Sequence, residues 1–230
     1  MGAQHSLTGV SLFADLTEKD RDAVAKRCRW RQYAAREQVI GYADSTTDVL
    51  FFVAGSARVT FFTKAGKQIT FRDVPPGGFV GELAAIDGEA RSASVVTLGD
   101  ALVASSSATA FAQVLHDHPP VAAALLRHLA RQVRFLTGRV VEYSSLDVNG
   151  RIHAELLRLA HAHMTGANVA EIKPVPTHAE IASRVSTHRE AVTRELNYLD
   201  RAGILERRPG RLVVRDVGAL SRMVGKVLGE

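Results

Sequence analysis

The 230-residue chain contains one cysteine, Cys28. A lone thiol cannot close an intramolecular disulfide. It also excludes Cys-rich zinc fingers and all-Cys iron–sulfur sites within one chain. Cys28 stands in a polar, helix-like stretch, the setting of a small packing residue. Long apolar runs are absent too: none approaches the roughly 18 residues that cross a bilayer. The N-terminus does not combine a basic start, an apolar run and a small-residue cleavage site, so the expected compartment is the cytoplasm, with no membrane partner. Paired carboxylates, a metal cluster and a nucleophile–base motif are all missing, which reads against an enzyme. His116-Asp117-His118 and His161-Ala162-His163 each lack a third ligand nearby, so no metal is expected. There is no internal repeat and no low-complexity tract.

The bulk composition is that of a globular protein, with 46% hydrophobic and 23% charged residues. The length allows one to two domains and a sizeable core without staples. A formal charge of +5 points weakly to a polyanionic partner.

The chain changes character along its length. Thr17 is a cap before a short helix over Glu18 to Arg27. From about Trp30 to Ser106, short β-branched and aromatic runs recur between turn signals. They include Val49 to Val53, Ala57 to Thr63, Gln68 to Val74 and Ser94 to Thr97. That spacing predicts a small antiparallel sandwich or barrel. After Pro119-Pro120 the period switches. Ala122, Leu126, Leu129, Val133, Leu136, Val140 and Tyr143 alternate at spacings of four and three, a heptad seam that predicts a helix paired with a second copy. Leu146 to Gly150 reads as a hinge.

Beyond the hinge, Arg151 to His163 is amphipathic and Val169 to Val175 is extended. Thr177-His178-Ala179-Glu180 and Thr187-His188-Arg189-Glu190 both have the capping-box pattern, separated by a turn at Val185-Ser186. Two helices so joined, the second rich in Arg, predict a helix-turn-helix. Ile204 to Arg208, Pro209-Gly210 and Arg211 to Arg215 read as a β-hairpin wing. Residues 184–215 carry eight arginines against four acids, which concentrates the basic excess here.

Two constellations carry chemistry. In the first, Gly78-Phe79-Val80-Gly81-Glu82-Leu83 is followed by Arg91-Ser92-Ala93. A glycine-rich turn frees backbone N–H groups to approach an anion. Arg supplies a fork for phosphate, Ser a hydroxyl donor, and Glu an acceptor for a sugar hydroxyl. In the second, Arg189, Glu190 and Arg194 sit on one helix, the residue types that read guanine and cytosine in a major groove.

Residues 78–93 resemble the phosphate-binding cassette of cyclic-nucleotide-binding domains, in the form found in the CRP/FNR family of bacterial transcription regulators. Gly41, Asp48 and Gly55 fall where that family's β-roll places turn residues. The heptad helix resembles its dimerisation helix, Leu146 to Ile152 its hinge, and Thr187 to Arg194 its recognition helix. The resemblance covers about residues 8–215. It implies an α+β chain with three parts: a jelly-roll-like antiparallel β-roll (1–118), a dimerisation helix and hinge (119–146), and a winged helix-turn-helix (147–230).

The resemblance also implies roles. Gly81 and Leu83 give backbone contacts to a cyclic nucleotide, Glu82 accepts the ribose 2′-hydroxyl, and Arg91 and Ser92 hold the phosphate. Cyclic-AMP sensors of the family hold the base with two adjacent hydroxyl residues. The matching pair is Leu136-Thr137, of which Thr137 alone keeps a hydroxyl. Cyclic AMP is the expected ligand ahead of cyclic GMP, whose guanine, turned syn, has Ser92 as an alternative partner. Arg189 and Arg194 are expected to read guanines and Glu190 a cytosine amine, giving a palindromic TGTGA-like site. Thr177, His178, His188, Arg207, Arg208 and Arg211 are candidate phosphate contacts. Ser186 stands where the family commonly has a turn glycine. The implied partners are double-stranded DNA, a second copy and RNA polymerase. Neither a metal nor an iron–sulfur cluster is implied. Haem-sensing relatives place a histidine near the cassette, and residues 77–95 contain none.

Overall fold

The computed structural model describes residues 5–228. The chain forms two compact units, one ending at Gln132 and the other starting at Val133.

The first unit opens with a short 3-10 turn (Ser11–Phe13) and α1 (Glu18–Ala25), where the Thr17 hydroxyl accepts from the Asp20 amide. Then come β1 (Arg29–Tyr33), β2 (Gln38–Ile40), β3 (Val49–Ala54), β4 (Ala57–Phe62), β5 (Gln68–Val74) and β6 (Phe79–Val80). After them follow α2 (Glu82–Asp87), β7 (Ser94–Thr97), β8 (Ala101–Ser106), α3 (Ala108–Asp117) and α4 (Pro119–Ser145), whose residues from Val133 onward belong to the second unit. The strands make two four-stranded antiparallel sheets, ordered β1-β8-β3-β6 and β2-β7-β4-β5.

The unbroken apolar run of β3 has a physical cause. Leu50 and Phe52 join the core shared with the second sheet, beside Val74, Val80 and Val103. Val49 and Phe51 face the other way, onto Phe13, Phe111, Val121 and Leu125 of the helices. A strand buried on both faces has no polar face to alternate.

Pro119 and Pro120 open α4 where proline costs nothing, its missing N–H being one that a first turn leaves unpaired anyway. On α4 the heptad positions Leu126, Val133, Leu136 and Val140 are exposed on the single chain, at 67%, 63%, 47% and 64%.

In the second unit, Leu146 and Asp147 separate α4 from α5 (Val148–Ala162). The expected hinge is therefore short: Asp147 caps α5 by accepting from the Gly150 amide at 2.7 Å, and Val148 to Gly150 are helical. Next come β9 (Ala170–Ile172), α6 (His178–Arg184), α7 (Arg189–Arg201), β10 (Leu205–Arg208), β11 (Arg211–Val214) and α8 (Val217–Leu228). The wing is three-stranded, ordered β10-β11-β9. Ile181, Val185, Val192, Leu196 and Leu199 lock α6 against α7 in the core of this unit. The helix α8, which the sequence reading left unassigned, buries Val217 and Leu220 in the same core.

Candidate functional site

The cassette is built around one turn. Gly81 has φ +88°, and a Cβ there would lie 2.6 Å from Arg91 Nη1 and 2.6 Å from the Asp48 carbonyl. Glycine is needed for both conformation and space. Arg91 is 4% exposed. Its Nε donates to Thr46 Oγ1 at 3.1 Å, Nη1 to the Gly81 carbonyl at 3.0 Å and Nη2 to the Asp48 carbonyl at 2.7 Å. Three of the five guanidinium N–H groups are thus fixed, leaving one on each terminal nitrogen, an end-on fork suited to an oxyanion. Burial pushes the Arg91 pKa down, opposed by Asp48, Asp44 and Glu82. Ser92 and Leu83 are exposed beside it.

Glu82 is 3% exposed and accepts from Gln132 Nε2 at 3.0 Å. Gln132 in turn shares a 2.7 Å hydrogen bond with His128 Nε2, and the His128 ring packs on Phe79 at 4.4 Å. Burial, the largest cause, pushes the His128 pKa down, opposed by Glu82. Arg72 lies within electrostatic reach of Glu82 and His128, and burial pushes its pKa down too. Arg72, His128 and Gln132 were all missed from sequence. A signal for Arg72 was present: it stands two residues before the core residue Val74 and opposite Val59, on the inward side of β5, although a bulge breaks the alternation between it and Thr70.

Gly81, Glu82, Leu83, Arg91 and Ser92 are therefore together in the first unit. Leu136 and Thr137 belong to the second unit, both exposed, with Thr137 Oγ1 donating to the Val133 carbonyl at 2.9 Å.

In the second unit, Arg189, Glu190 and Arg194 are all exposed on α7. The first capping box forms: Thr177 Oγ1 accepts from the Glu180 amide, and the Glu180 carboxylate accepts from Thr177 N at 2.8 Å. The Thr177 hydroxyl is thus engaged within its own helix cap, also donating to Glu180 at 3.0 Å. The second box does not form. Ser186 turns the chain at φ +55°, the Thr187 amide bonds the Ala182 carbonyl at 3.0 Å, and extended backbone is reached one residue late, at His188. His188 becomes the N-cap without a side-chain bond, which leaves Glu190 exposed.

His178 Nδ1 and Thr193 Oγ1 are 2.7 Å apart, and burial, then Arg207 and Arg189, push the His178 pKa down. Among the wing arginines, Arg207 donates to Asn197 at 2.7 Å, Arg208 pairs with Glu206 at 2.9 Å and Arg211 with Glu171 at 3.1 Å.

The end of α4 is tied to the helix-turn-helix. The Tyr143 hydroxyl donates to the Arg184 carbonyl at 2.8 Å, Arg139 donates to the same oxygen, and Arg151 Nε donates to the Val185 carbonyl at 3.1 Å. These carbonyls close α6, so side chains from α4 and α5 satisfy groups that a helix end leaves orphaned. Glu155, 3% exposed, gathers Arg139 at 3.5 Å, Arg184 at 3.6 Å and Arg158. The buried His153 and Glu195 meet at 2.6 Å and join α5 to α7.

Comparison with known proteins agrees with this division. Residues 30–118 match the cyclic nucleotide-binding domain family and residues 150–223 the Crp-like helix-turn-helix domain. The cAMP-activated global transcriptional regulator CRP of Salmonella typhimurium is 29% identical over 190 residues, covering 81% of this chain and 90% of that one. A crystallised transcriptional regulator of the CRP family from Thermus thermophilus is 26% identical with a TM-score of 0.67, covering 85% of this chain and 96% of that one. A CooA mutant from Carboxydothermus hydrogenoformans shares the fold at 17% identity and a TM-score of 0.81, covering 96% of this chain and 97% of that one. Among the described residues no group of His, Cys, Asp and Glu is arranged to hold a metal ion, and no helix is long and apolar enough to cross a membrane.

Proposed function

Because this chain belongs to the CRP/FNR family of bacterial transcription regulators, we propose that it is a homodimeric DNA-binding regulator switched by a cyclic nucleotide. One observation carries the reading: the Arg91 fork, pinned on three protein acceptors, stands beside the buried acceptor Glu82. A cyclic phosphate fits the two N–H groups left over, with Ser92 as a further donor. A ribose hydroxyl fits Glu82, and the backbone at Gly81 and Leu83 completes the cradle. The Salmonella relative, by its name, is cAMP-activated.

The exposed stripe Leu126, Val133, Leu136, Val140 supports a second copy as partner. Two copies of α7 then enter successive major grooves of a TGTGA-like palindrome, with RNA polymerase as the downstream partner in the cytoplasm. Switching requires the ligand to bind the DNA-competent state more tightly than the other. Operator binding measured with and without cyclic AMP and cyclic GMP tests this. Nucleotide is expected to tighten it; equal affinity throughout overturns the gating.

At the DNA, Arg189→Ala is expected to cost about 1–3 kcal/mol and to relax preference at one base per half-site. Binding to a panel of single-base operator variants checks this. A uniform loss across the panel would make Arg189 a phosphate contact instead.

A redox effector is disfavoured by Cys28. Burial pushes its thiol up to about 11, and its Sγ donates to the Val24 carbonyl at 3.4 Å. At pH 8 only about one such thiol in a thousand is thiolate, the reactive form. Native protein is therefore expected to alkylate with iodoacetamide far more slowly than urea-unfolded protein, as mass spectrometry would show.

A haem effector has one observation in its favour: His128 reaches the cassette from α4, although the cassette itself has no histidine. Soret absorbance of the purified protein would select that reading.

A further inference from the structure

We propose that Arg72 reads the base of the bound nucleotide and selects guanine over adenine. The inference rests on the cyclic-nucleotide reading of the Glu82–Arg91 site and deepens it.

Arg72 is the least satisfied guanidinium at that site. Its one protein hydrogen bond among the described residues is a long one, from Nη2 to the Phe79 carbonyl at 3.5 Å. Arg91, by contrast, is pinned on three acceptors. Arg72 nevertheless lies on the inward side of β5, opposite Val59 and two residues before the core residue Val74. Its remaining N–H groups have no protein acceptor among the described residues and, Arg72 being only half-buried, are open to the acceptors of a ligand.

The surroundings say which part of the ligand that is. Glu82 is within electrostatic reach of two arginines, Arg91 and Arg72. Arg91 is held on Thr46 and the Gly81 and Asp48 carbonyls, while Arg72 bonds the Phe79 carbonyl and acts with Glu82 on His128, which shares a hydrogen bond with Gln132, the donor to Glu82. With the phosphate on Arg91 and the ribose on Glu82, the base is the portion left for Arg72. Guanidinium donates and never accepts. Guanine presents two adjacent acceptors, O6 and N7, which match its fork; adenine presents N7 beside an amine that also donates.

The test is calorimetric titration of the full-length protein with cyclic GMP, cyclic AMP and cyclic di-GMP, each variant checked for folding by thermal unfolding. Wild-type protein is expected to bind cyclic GMP at least about tenfold more tightly than cyclic AMP, the value of one good bidentate contact. Arg72→Met, similar in length and without donors, is expected to erase that preference by weakening cyclic GMP alone. Arg72→Lys, which keeps the charge and loses the fork, is expected to do the same.

A wild-type preference for cyclic AMP overturns the proposal, as does an equal loss of both ligands in the variants. Tightest binding of cyclic di-GMP, lost in both variants, makes Arg72 a second phosphate contact and also overturns it. Failure of the wild type to bind any of these nucleotides overturns the underlying reading instead.

Discussion

Arg91→Ala is expected to weaken cyclic-nucleotide binding by at least about 100-fold and to abolish nucleotide-dependent operator binding. The magnitude follows from the donors left free. Two charge-assisted hydrogen bonds at about 1.5–3 kcal/mol each amount to two or more factors of ten in affinity. The same side chain also braces the fold, through Thr46 and the Gly81 and Asp48 carbonyls. Truncation therefore removes partners from those acceptors and lowers stability as well. Arg91→Lys separates the two effects. A lysine keeps the charge, which Asp48, Asp44 and Glu82 favour. Its single ammonium cannot reach three protein acceptors and still present a fork to phosphate. The lysine variant is expected to fold, with a modestly lower Tm, and to bind at least about tenfold more weakly. Wild-type affinity in a folded lysine or alanine variant would sink the assigned site.

What was legible from sequence follows the strength of local signals. The cap at Thr17, the box at Thr177 to Glu180, the strand over Gln68–Val74 and the start of the long helix at Pro119 all announce themselves within four to seven residues. Misses occur where tertiary context decides. The strand β1 reads Arg-Trp-Arg-Gln-Tyr and shows no apolar face, because it is an edge paired only with β8. The second capping box is defeated by the left-handed turn at Ser186, which the Thr-x-x-Glu pattern does not reveal.

The candidate site divides in the same way. Gly81, Glu82 and Arg91 are close in sequence, and the turn that joins them brings them together. Arg72 and Gln132 come from β5 and α4, ten residues before and fifty after Glu82, so only the folded chain assembles them. The spacing of Arg72 and Val74 did place an arginine inward, a local inconsistency of the kind that marks function.

Glu155→Ala is expected to destabilise the second unit by about 3–5 kcal/mol, the usual effect of removing one partner from a buried ion network. Glu155 is the shared acceptor for Arg139, Arg158 and Arg184. Without it three guanidinium groups are left close together, with Glu142 as the remaining carboxylate for Arg139 and Arg158. The consequence reaches function because Arg139 and Tyr143 together hold the carbonyl that ends α6. Loosening that clamp releases the turn at Val185 and Ser186, and with it the entry angle of α7. The variant is expected to lose operator affinity while keeping wild-type nucleotide affinity, since Glu82 and Arg91 lie in the other unit. Urea unfolding followed by circular dichroism should then show one transition shifted and the other unmoved. Glu155→Gln keeps an acceptor oxygen without the charge and is expected to shift the same transition less. A Glu155→Ala protein within about 1 kcal/mol of wild type would mean that the network does not hold the helix-turn-helix.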